Sequence, residues 1–189
     1  MKKLILVRHC SATGQESDAA LTLAGKKQAI SLAHFLVEKK LSIQSIISSP
    51  FKRTMQSIMP FATEINIPII IDERLTERTL SREPMDDWLQ KLEKTFTNLD
   101  LAFHGGESSQ EAMSRVAPLI QHVLQSEEHT TLLVTHGNLL TLILKMFDQN
   151  IDFSTWEQMS NPDVYEITIT KSETNIKKLW NNETSITSS

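Results

Sequence analysis

The sequence has 189 residues, of which 40% are hydrophobic and 22% are charged, and its formal net charge is −4. A chain of this length and composition forms a globular domain whose core is large enough to fold without disulfides or metal ions. The acidic balance, with no long run of Lys or Arg, argues against nucleic acid and anionic membranes as partners.

Cysteine and glycine usage limits the chemistry further. Cys10 is the only cysteine, which excludes an intrachain disulfide and a zinc site built from several thiolates. The five glycines do not have the spacing of a dinucleotide-binding loop or a Walker A loop. The apolar run at residues 4–7 is too short for a signal peptide or a membrane span. We therefore expect a soluble, cytoplasmic protein that needs no cofactor.

Short apolar runs alternate along the chain with helical periodicity. The first helix has Thr22 as its N-cap and an apolar stripe at Leu23, Ala29, Leu32, Ala33 and Leu36. In chain order the pattern predicts a strand at 4–7, a helix at 22–39, a strand at 45–48, a helix at 50–63, a strand at 68–71, helices at 86–96 and 107–125, a strand at 130–135, a helix at 137–147, and strands at 164–170 and 176–180.

This alternation predicts a three-layer α/β/α sandwich, with a mostly parallel sheet and helices on both of its faces. The pattern weakens between about residues 72 and 106, where we predict a small inserted cap. The sequence thus predicts a single domain over residues 1–181, followed by a polar tail at 182–189.

Polar residues follow four of the predicted strands. Ligands of such sheets bind beyond the carboxyl ends of the strands, which makes these residues the candidate site. They are residues 8–9, 50–53, 73–78 and 136–137. The set contains arginines, histidines and a glutamate, which are groups that bind and transfer a phosphoryl group.

Six segments carry a pattern that occurs together in one known family. They are Leu6-Val7-Arg8-His9-Cys10, residues 21–29, residues 48–57, Arg74-Leu75-Thr76-Glu77-Arg78, Gly105-Gly106-Glu107-Ser108 with Glu111, and Val134-Thr135-His136-Gly137. In this order they resemble the motifs of the histidine phosphatase superfamily, the phosphoglycerate mutase-like proteins.

The resemblance implies a role for each central residue. His9 would be the nucleophile that becomes a phosphohistidine, and Arg8, Arg53 and His136 would bind the phosphoryl oxygens. Glu77 stands where many members have the proton donor. These residue types suit the chemistry, because arginine binds phosphate oxygens with its planar fork and neutral imidazole is a nucleophile near pH 7. With two arginines and a histidine supplying donors, we expect no metal ion.

Four further residues are predicted to contact the substrate: Gln15, Gly137, Arg78 and Arg82. Gln15 stands at the position of a common pocket asparagine in the family. Arg78 and Arg82 would favour a second anionic group on the substrate. The expected partner is a small phosphorylated metabolite.

Two positions depart from the family pattern. Cys10 replaces the glycine that follows the catalytic histidine, and Ala12 removes a hydroxyl that could bind phosphate. We interpret Cys10 as a small loop residue whose pKa Arg8 would lower. The sequence leaves three functions open: a metal-independent phosphomonoester hydrolase, which we favour, a phosphoglycerate mutase with the same residues, and a catalytically weak phosphoryl-binding pseudophosphatase.

Overall fold

The computed structural model of the chain describes residues 1–181, and the predicted polar tail at 182–189 lies outside them. The strands of this range are β1 (Lys2–Arg8), β2 (Ser45–Ser48), β3 (Ile69–Ile71), β4 (Thr130–Thr135), β5 (Asp163–Ile169) and β6 (Thr174–Lys178). The helices are α1 (Leu23–Glu38), α2 (Lys52–Glu64), α3 (Trp88–Thr97), α4 (Ser109–Gln125), α5 (Gly137–Phe147) and α6 (Phe153–Glu157), with a 3₁₀ turn at Glu73–Leu75.

The six strands form one sheet in the order β3-β2-β4-β1-β5-β6. β1, β2, β3 and β4 pair in parallel, whereas β5 is antiparallel to both β1 and β6. At the carboxyl end of β1, its last residue, Arg8, lies opposite Thr135 at the end of β4 and Asp163 at the start of β5. The ends of parallel strands and the beginning of an antiparallel strand therefore meet there.

The central strand β1 is apolar on both faces, and two separate cores result. Leu4 and Leu6 belong to a core that includes buried residues of α4 and α5. Ile5 and Val7 belong to a second core that includes buried residues of α1 and α2. Because successive side chains of a strand point to opposite faces, helices cover both sides of the sheet. This confirms the predicted α/β class with helices on both faces.

The segment predicted as a cap contains the 3₁₀ turn and α3. Leu92 and Phe96 of α3 are buried in the core beside α4 and α5, so this segment is packed onto the domain. Its ends are joined by backbone hydrogen bonds, from Arg82 N to His104 O (3.1 Å) and from Glu107 N to Thr79 O (2.8 Å). No helix among residues 1–181 has the length and apolar character that crossing a bilayer requires.

Several predicted element details were wrong. Leu23 is 80% exposed and not part of the α1 stripe, because the buried face of the first turn is at Gly25. The fourth helix begins at Ser109, since Ser108 and Glu111 form a capping box, and α2 begins at Lys52 behind Phe51. The five-residue helix α6 was not predicted, because it is shorter than any reliable periodic signal.

Gly25 in the first turn of α1 provides a test of how the loop after β1 is held. A Cβ on Gly25 would lie 2.0 Å from the Ser11 carbonyl oxygen, which is backbone and must therefore move. We expect Gly25→Ala to lower the free energy of unfolding by about 1–3 kcal/mol, measured by urea denaturation. The neighbouring exposed variant Lys26→Ala is the control and should change stability by less than about 0.5 kcal/mol. Equal stability of both variants would contradict the close packing.

Candidate active site

A cavity of about 930 Å³ opens at the carboxyl ends of the central strands β1 and β4. Seven of the nine sequence-predicted site residues line it, all except His136 and Arg82, together with side chains from the cap and α6. The lining residues used below are Arg8, His9, Gln15, Phe51, Arg53, Glu77, Arg78, Glu83, Met85, Trp88, Leu92, Gly137, Asn138, Trp156 and Asn161. The cavity is therefore lined both by the residues that follow the strands and by residues of the predicted cap.

His9 directly follows β1 and is 8% exposed. Its Nδ1 lies 2.7 Å from the Cys10 carbonyl oxygen, and Arg53 Nε donates to its Nε2 at 3.2 Å. A carbonyl can only accept, and an arginine can only donate, so the proton lies on Nδ1 and the lone pair on Nε2. Burial, helped by the charges of Arg53 and Arg8, lowers the pKa of His9 to about 4. His9 is thus a neutral imidazole with a directed lone pair.

Two arginines lie beside this imidazole. Arg8 Nη1 donates to Met159 O at 3.0 Å, and its guanidinium packs on Gly137, where a Cβ would lie 3.0 Å from Arg8 Cζ. Arg53, 1% exposed in the first turn of α2, donates through Nη1 to Glu16 O at 2.8 Å. Burial lowers the pKa of both arginines, and Glu77 opposes this shift. Both stay cationic, because arginine does not lose its proton in proteins.

His136 directly follows β4, is the N-cap residue of α5 and contacts His9. The two ring centroids are 5.2 Å apart in an edge-to-face arrangement, and His136 Nε2 lies 2.9 Å from Ser49 Oγ. Its Nδ1 has no hydrogen-bond partner among the residues that the structure describes. Burial, together with the positive charges of Arg53 and Arg8, holds the pKa of His136 well below its ordinary value. His136 lies behind the residues that line the cavity, so its contact with a phosphoryl oxygen stays a prediction.

The Glu77 carboxylate lies across the N-terminus of α5. It accepts backbone N–H groups from Arg78 (2.9 Å), Leu139 (3.0 Å) and Asn138 (3.1 Å). These bonds, together with the favourable helix dipole, fix the carboxylate at the cavity wall. Glu77 is therefore well placed to exchange a proton with a bound ester.

Other acids near the motifs are engaged elsewhere. Glu107 is bound to Arg115 through both carboxylate oxygens (2.8 and 2.9 Å), and Asp72 is paired with Arg74. Neither acid lines the cavity. Glu83 does line it but pairs at the surface with His104 at 3.1 Å.

The structure distinguishes the three predicted substrate contacts outside the motif core. Gln15 lines the cavity, and its backbone carbonyl oxygen accepts a hydrogen bond from Arg53 Nη1 at 3.1 Å. Arg78 also lines the cavity, but its Nε and Nη1 donate to Glu107 O (2.7 Å) and Thr95 Oγ1 (2.8 Å). Arg82 is exposed and does not line the cavity, since its side chain packs against Gly105. Of the two cations predicted for a second anionic group, Arg78 therefore lines the cavity and is bonded to the cap, and Arg82 lies outside the lining, so a substrate contact of either stays a prediction.

Cys10 is buried in the core beside α1 and α2. Its backbone N–H donates to Ser57 Oγ at 2.8 Å, and its carbonyl holds His9. Burial raises the pKa of the Cys10 thiol to about 12, so the expectation that Arg8 lowers this pKa was wrong. Cys10 fills space in the loop and supplies backbone groups, and its thiol stays protonated.

Two residues before and within β5 support the site and were not predicted. Asn161 Nδ2 donates to the His9 carbonyl at 2.7 Å and lines the cavity. Asp163 is fully buried opposite Arg8 and is paired with Lys178 at 2.7 Å. The available signal was the Asn161-Pro162-Asp163 turn ahead of a strand. That turn indicates a contact with the site only if the following strand, β5, is known to run antiparallel to β1.

In the part of the chain that the structure describes, no three or more His, Cys, Asp or Glu side chains are grouped so as to hold a metal ion. The positive charge of the cavity comes from guanidinium groups. Their planar donors suit the oxygens of a phosphoryl group.

Comparison with known proteins identifies relatives of the whole domain. The family model of the histidine phosphatase superfamily (branch 1) matches residues 4–183. Phosphoserine phosphatase 1 of Hydrogenobacter thermophilus is 30% identical over 155 residues, which are 71% of this chain and 70% of that protein.

Solved structures with the same fold include two further phosphatases. A mycobacterial glucosyl-3-phosphoglycerate phosphatase with inorganic phosphate superposes with a TM-score of 0.79 at 20% identity, over 99% of this chain and 100% of that one. The alpha-ribazole phosphatase of Shigella flexneri superposes with a TM-score of 0.72 at 18% identity, over 93% and 95% of the two chains.

The low pKa of His9 gives a direct test of the site's electrostatics. We expect the His9 imidazole to stay neutral at about pH 5.5, where an ordinary exposed histidine is mostly protonated. Nitrogen-15 NMR of the ring would measure this, with an unprotonated Nε2 as the expected signature and the exposed histidines of the chain as internal reference. A His9 ring that titrates near pH 6.5 would contradict the buried, doubly anchored imidazole.

The same shift has a consequence for stability, and its sign follows from proton binding. Between about pH 6.5 and about pH 4 the unfolded chain binds a proton at His9 that the folded protein does not. Unfolding is therefore favoured as the pH falls through this window, and His9 contributes its full stability only above it. His136, whose pKa is also lowered, acts in the same direction.

Proposed function

The chain belongs to the histidine phosphatase superfamily, whose phosphatase relatives make it an enzyme of that family, and we propose that it hydrolyses small phosphomonoesters through a phosphohistidine at His9. The related phosphatases act, by their names, on different alcohols that share one phosphomonoester linkage. That shared linkage is the part of the substrate that the site residues would recognise.

One observation carries this proposal: both ring nitrogens of His9 are assigned by their neighbours. Nδ1 is held as a donor by the Cys10 carbonyl, and Nε2 accepts from Arg53 on the side of the cavity. A nucleophilic imidazole needs a lone pair that is fixed in direction and not protonated. The arginine at Nε2 would at the same time hold an oxygen of the phosphoryl group that the lone pair attacks.

The proposed reaction has two steps. In the first, Arg53 Nε exchanges its hydrogen bond from His9 Nε2 to a phosphoryl oxygen, and the freed Nε2 lone pair attacks phosphorus. The bond to the ester oxygen breaks, and Glu77 in its protonated form gives its proton to the departing alcohol. In the second, the Glu77 carboxylate takes a proton from water, the hydroxide attacks phosphorus, and the N–P bond breaks. Inorganic phosphate leaves, and His9 and Glu77 return to their starting states.

Charge stabilisation in this reaction is assigned to Arg8 and Arg53 and not to a metal ion. The transferred phosphoryl group carries its negative charge on three equatorial oxygens, so fixed cationic donors act where the charge lies. Backbone carbonyls hold both guanidiniums in place before substrate arrives. Such preorganisation avoids reorganisation during the reaction.

The two alternative functions make different demands. A pseudophosphatase was suggested by Cys10 and Ala12, but His9 keeps a directed lone pair with Cys10 in the loop, which supports turnover. A phosphoglycerate mutase must keep water from the phosphoenzyme and return the phosphoryl group to bound product. Phosphoglycerate isomerisation that is faster than phosphate release would favour the mutase over the hydrolase.

His9→Ala is the first test of the mechanism. We expect the variant to lose phosphate release from p-nitrophenyl phosphate by at least about 10³-fold, because no other group can form the phosphoenzyme. Wild-type enzyme should release phosphate in the presence of excess EDTA and, when quenched during turnover, carry an acid-labile phosphoryl group. His34→Ala, at an exposed position of α1, is the matched control. Turnover near the wild-type rate in His9→Ala, or a strict requirement for metal, would overturn the mechanism.

Glu77→Gln separates proton donation from the support that Glu77 gives to α5. An alkyl phosphate needs a proton on its departing oxygen, whereas p-nitrophenolate leaves without one. We expect kcat for an alkyl phosphate to fall by about 10²-fold or more, and kcat for p-nitrophenyl phosphate to fall much less. Steady-state phosphate release from both esters measures the difference. An equal loss on both esters would assign Glu77 a structural role only.

A further inference from the structure

We propose that the alcohol part of the substrate carries an aromatic ring, which packs against Trp88 and Trp156 at the outer end of the cavity. This inference rests on the proposed phosphatase activity and names the class of ester that the enzyme takes. It follows from three features of the cavity wall: its aromatic side chains, the distribution of its charges and its size.

The outer wall is built from aromatic side chains of two separate elements. Trp88 is the first residue of α3 in the cap, and Trp156 belongs to α6 on the main domain. Their ring centroids are 6.2 Å apart with an interplanar angle of 84°. Trp156 is also stacked on Phe153 at 5.4 Å, so its position is fixed from behind. Trp88 and Trp156 thus form a preformed aromatic corner of the cavity.

Trp88 is 49% exposed although it lines the same cavity as His9. Single exposed apolar residues are common on protein surfaces and need no explanation. Here, however, the exposed indole is in edge-to-face contact with Trp156, and the apolar side chains of Met85 and Leu92 line the same cavity. A planar ring bound there would remove this surface from water and gain favourable ring contacts.

The charges of the wall divide the cavity into two parts. Among its lining residues, the cations are Arg8, Arg53 and Arg78. The first two adjoin His9. Arg78 donates through Nε and Nη1 to Glu107 O and Thr95 Oγ1, and its Nη2 has no hydrogen-bond partner among the described residues. The outer wall adds Glu83, an acid. Beyond the pair at His9, a second anionic group would find only Arg78 as a cation in the lining, whereas an uncharged ring would find the side chains of Trp88 and Trp156.

The size of the cavity points the same way. Pockets for small molecules range over roughly 300–1,000 Å³, and this cavity of about 930 Å³ lies near the upper end. An ester as small as phosphoserine would occupy the part beside His9 and Glu77 and leave the aromatic corner unfilled. A ring-bearing alcohol would extend from the catalytic residues to that corner.

The test uses two esters that differ only by the ring. Ethyl phosphate and 2-phenylethyl phosphate are both esters of primary alcohols, so a difference in kcat/KM reports binding of the ring and not the acidity of the leaving group. We expect wild-type enzyme to favour 2-phenylethyl phosphate by about tenfold or more. Trp88→Ala should reduce that preference about fivefold or more.

Leu89→Ala is the matched control, because Leu89 is the next residue of α3, is exposed and does not line the cavity. It should keep the preference of the wild-type enzyme. Equal kcat/KM for the two esters, an unchanged preference in Trp88→Ala, or a higher kcat/KM for O-phospho-L-serine than for 2-phenylethyl phosphate would each overturn the inference while phosphatase activity stands. If no ester, including p-nitrophenyl phosphate, releases phosphate, the proposed function fails and this inference fails with it.

Discussion

The hydrogen bond between His9 Nδ1 and the Cys10 carbonyl determines what this cavity can do. It places the imidazole proton on Nδ1 and leaves Nε2 free to accept from Arg53. Together with the donor from Arg53, it fixes one tautomer, so that Nε2 presents a lone pair and not a proton. The remaining features of the site orient or charge the surroundings of this one ring.

Those surroundings combine burial with positive charge, which is a costly combination unless each cation is held. Arg8 and Arg53 are held by main-chain carbonyls and not by carboxylate partners, so neither charge is neutralised before a phosphoryl group arrives. The two imidazoles are packed edge to face and have pKa values lowered by the same environment. The site therefore has a net attraction for anions while its histidines stay uncharged.

Most of the residues around His9 were predictable from the sequence, because they follow the ends of the parallel strands. The parallel strands could be recognised from apolar runs, and the residues that follow them, including Arg8, His9 and His136, converge as parallel topology requires. The family resemblance was recognisable for the same reason, since its motifs lie at those ends. The direction in which the pKa of Cys10 shifts was not predictable. It depends on how deeply the thiol is buried and not on how close Cys10 is to Arg8 along the chain.

What the sequence could not supply concerns partners that are distant along the chain. Arg82 sits in the cap near Arg78, yet their side chains take different directions, and neither direction follows from composition. Asn161 and Asp163 act at the site only because β5 runs antiparallel to β1, a pairing that apolar periodicity does not reveal. The aromatic corner likewise needs α6, whose five residues carry no periodic signal.

The antiparallel arrangement of β5 has a consequence for how the enzyme matures on the ribosome. The hydrogen bonds from Asn161 to His9 and from Arg8 to Ser160 each join positions 152 residues apart. The nucleophile is therefore synthesised long before the groups that hold its backbone and the adjoining guanidinium. Contacts so distant in sequence form slowly and late in folding. Nascent chains thus have no assembled catalytic centre until nearly the whole domain has left the exit tunnel.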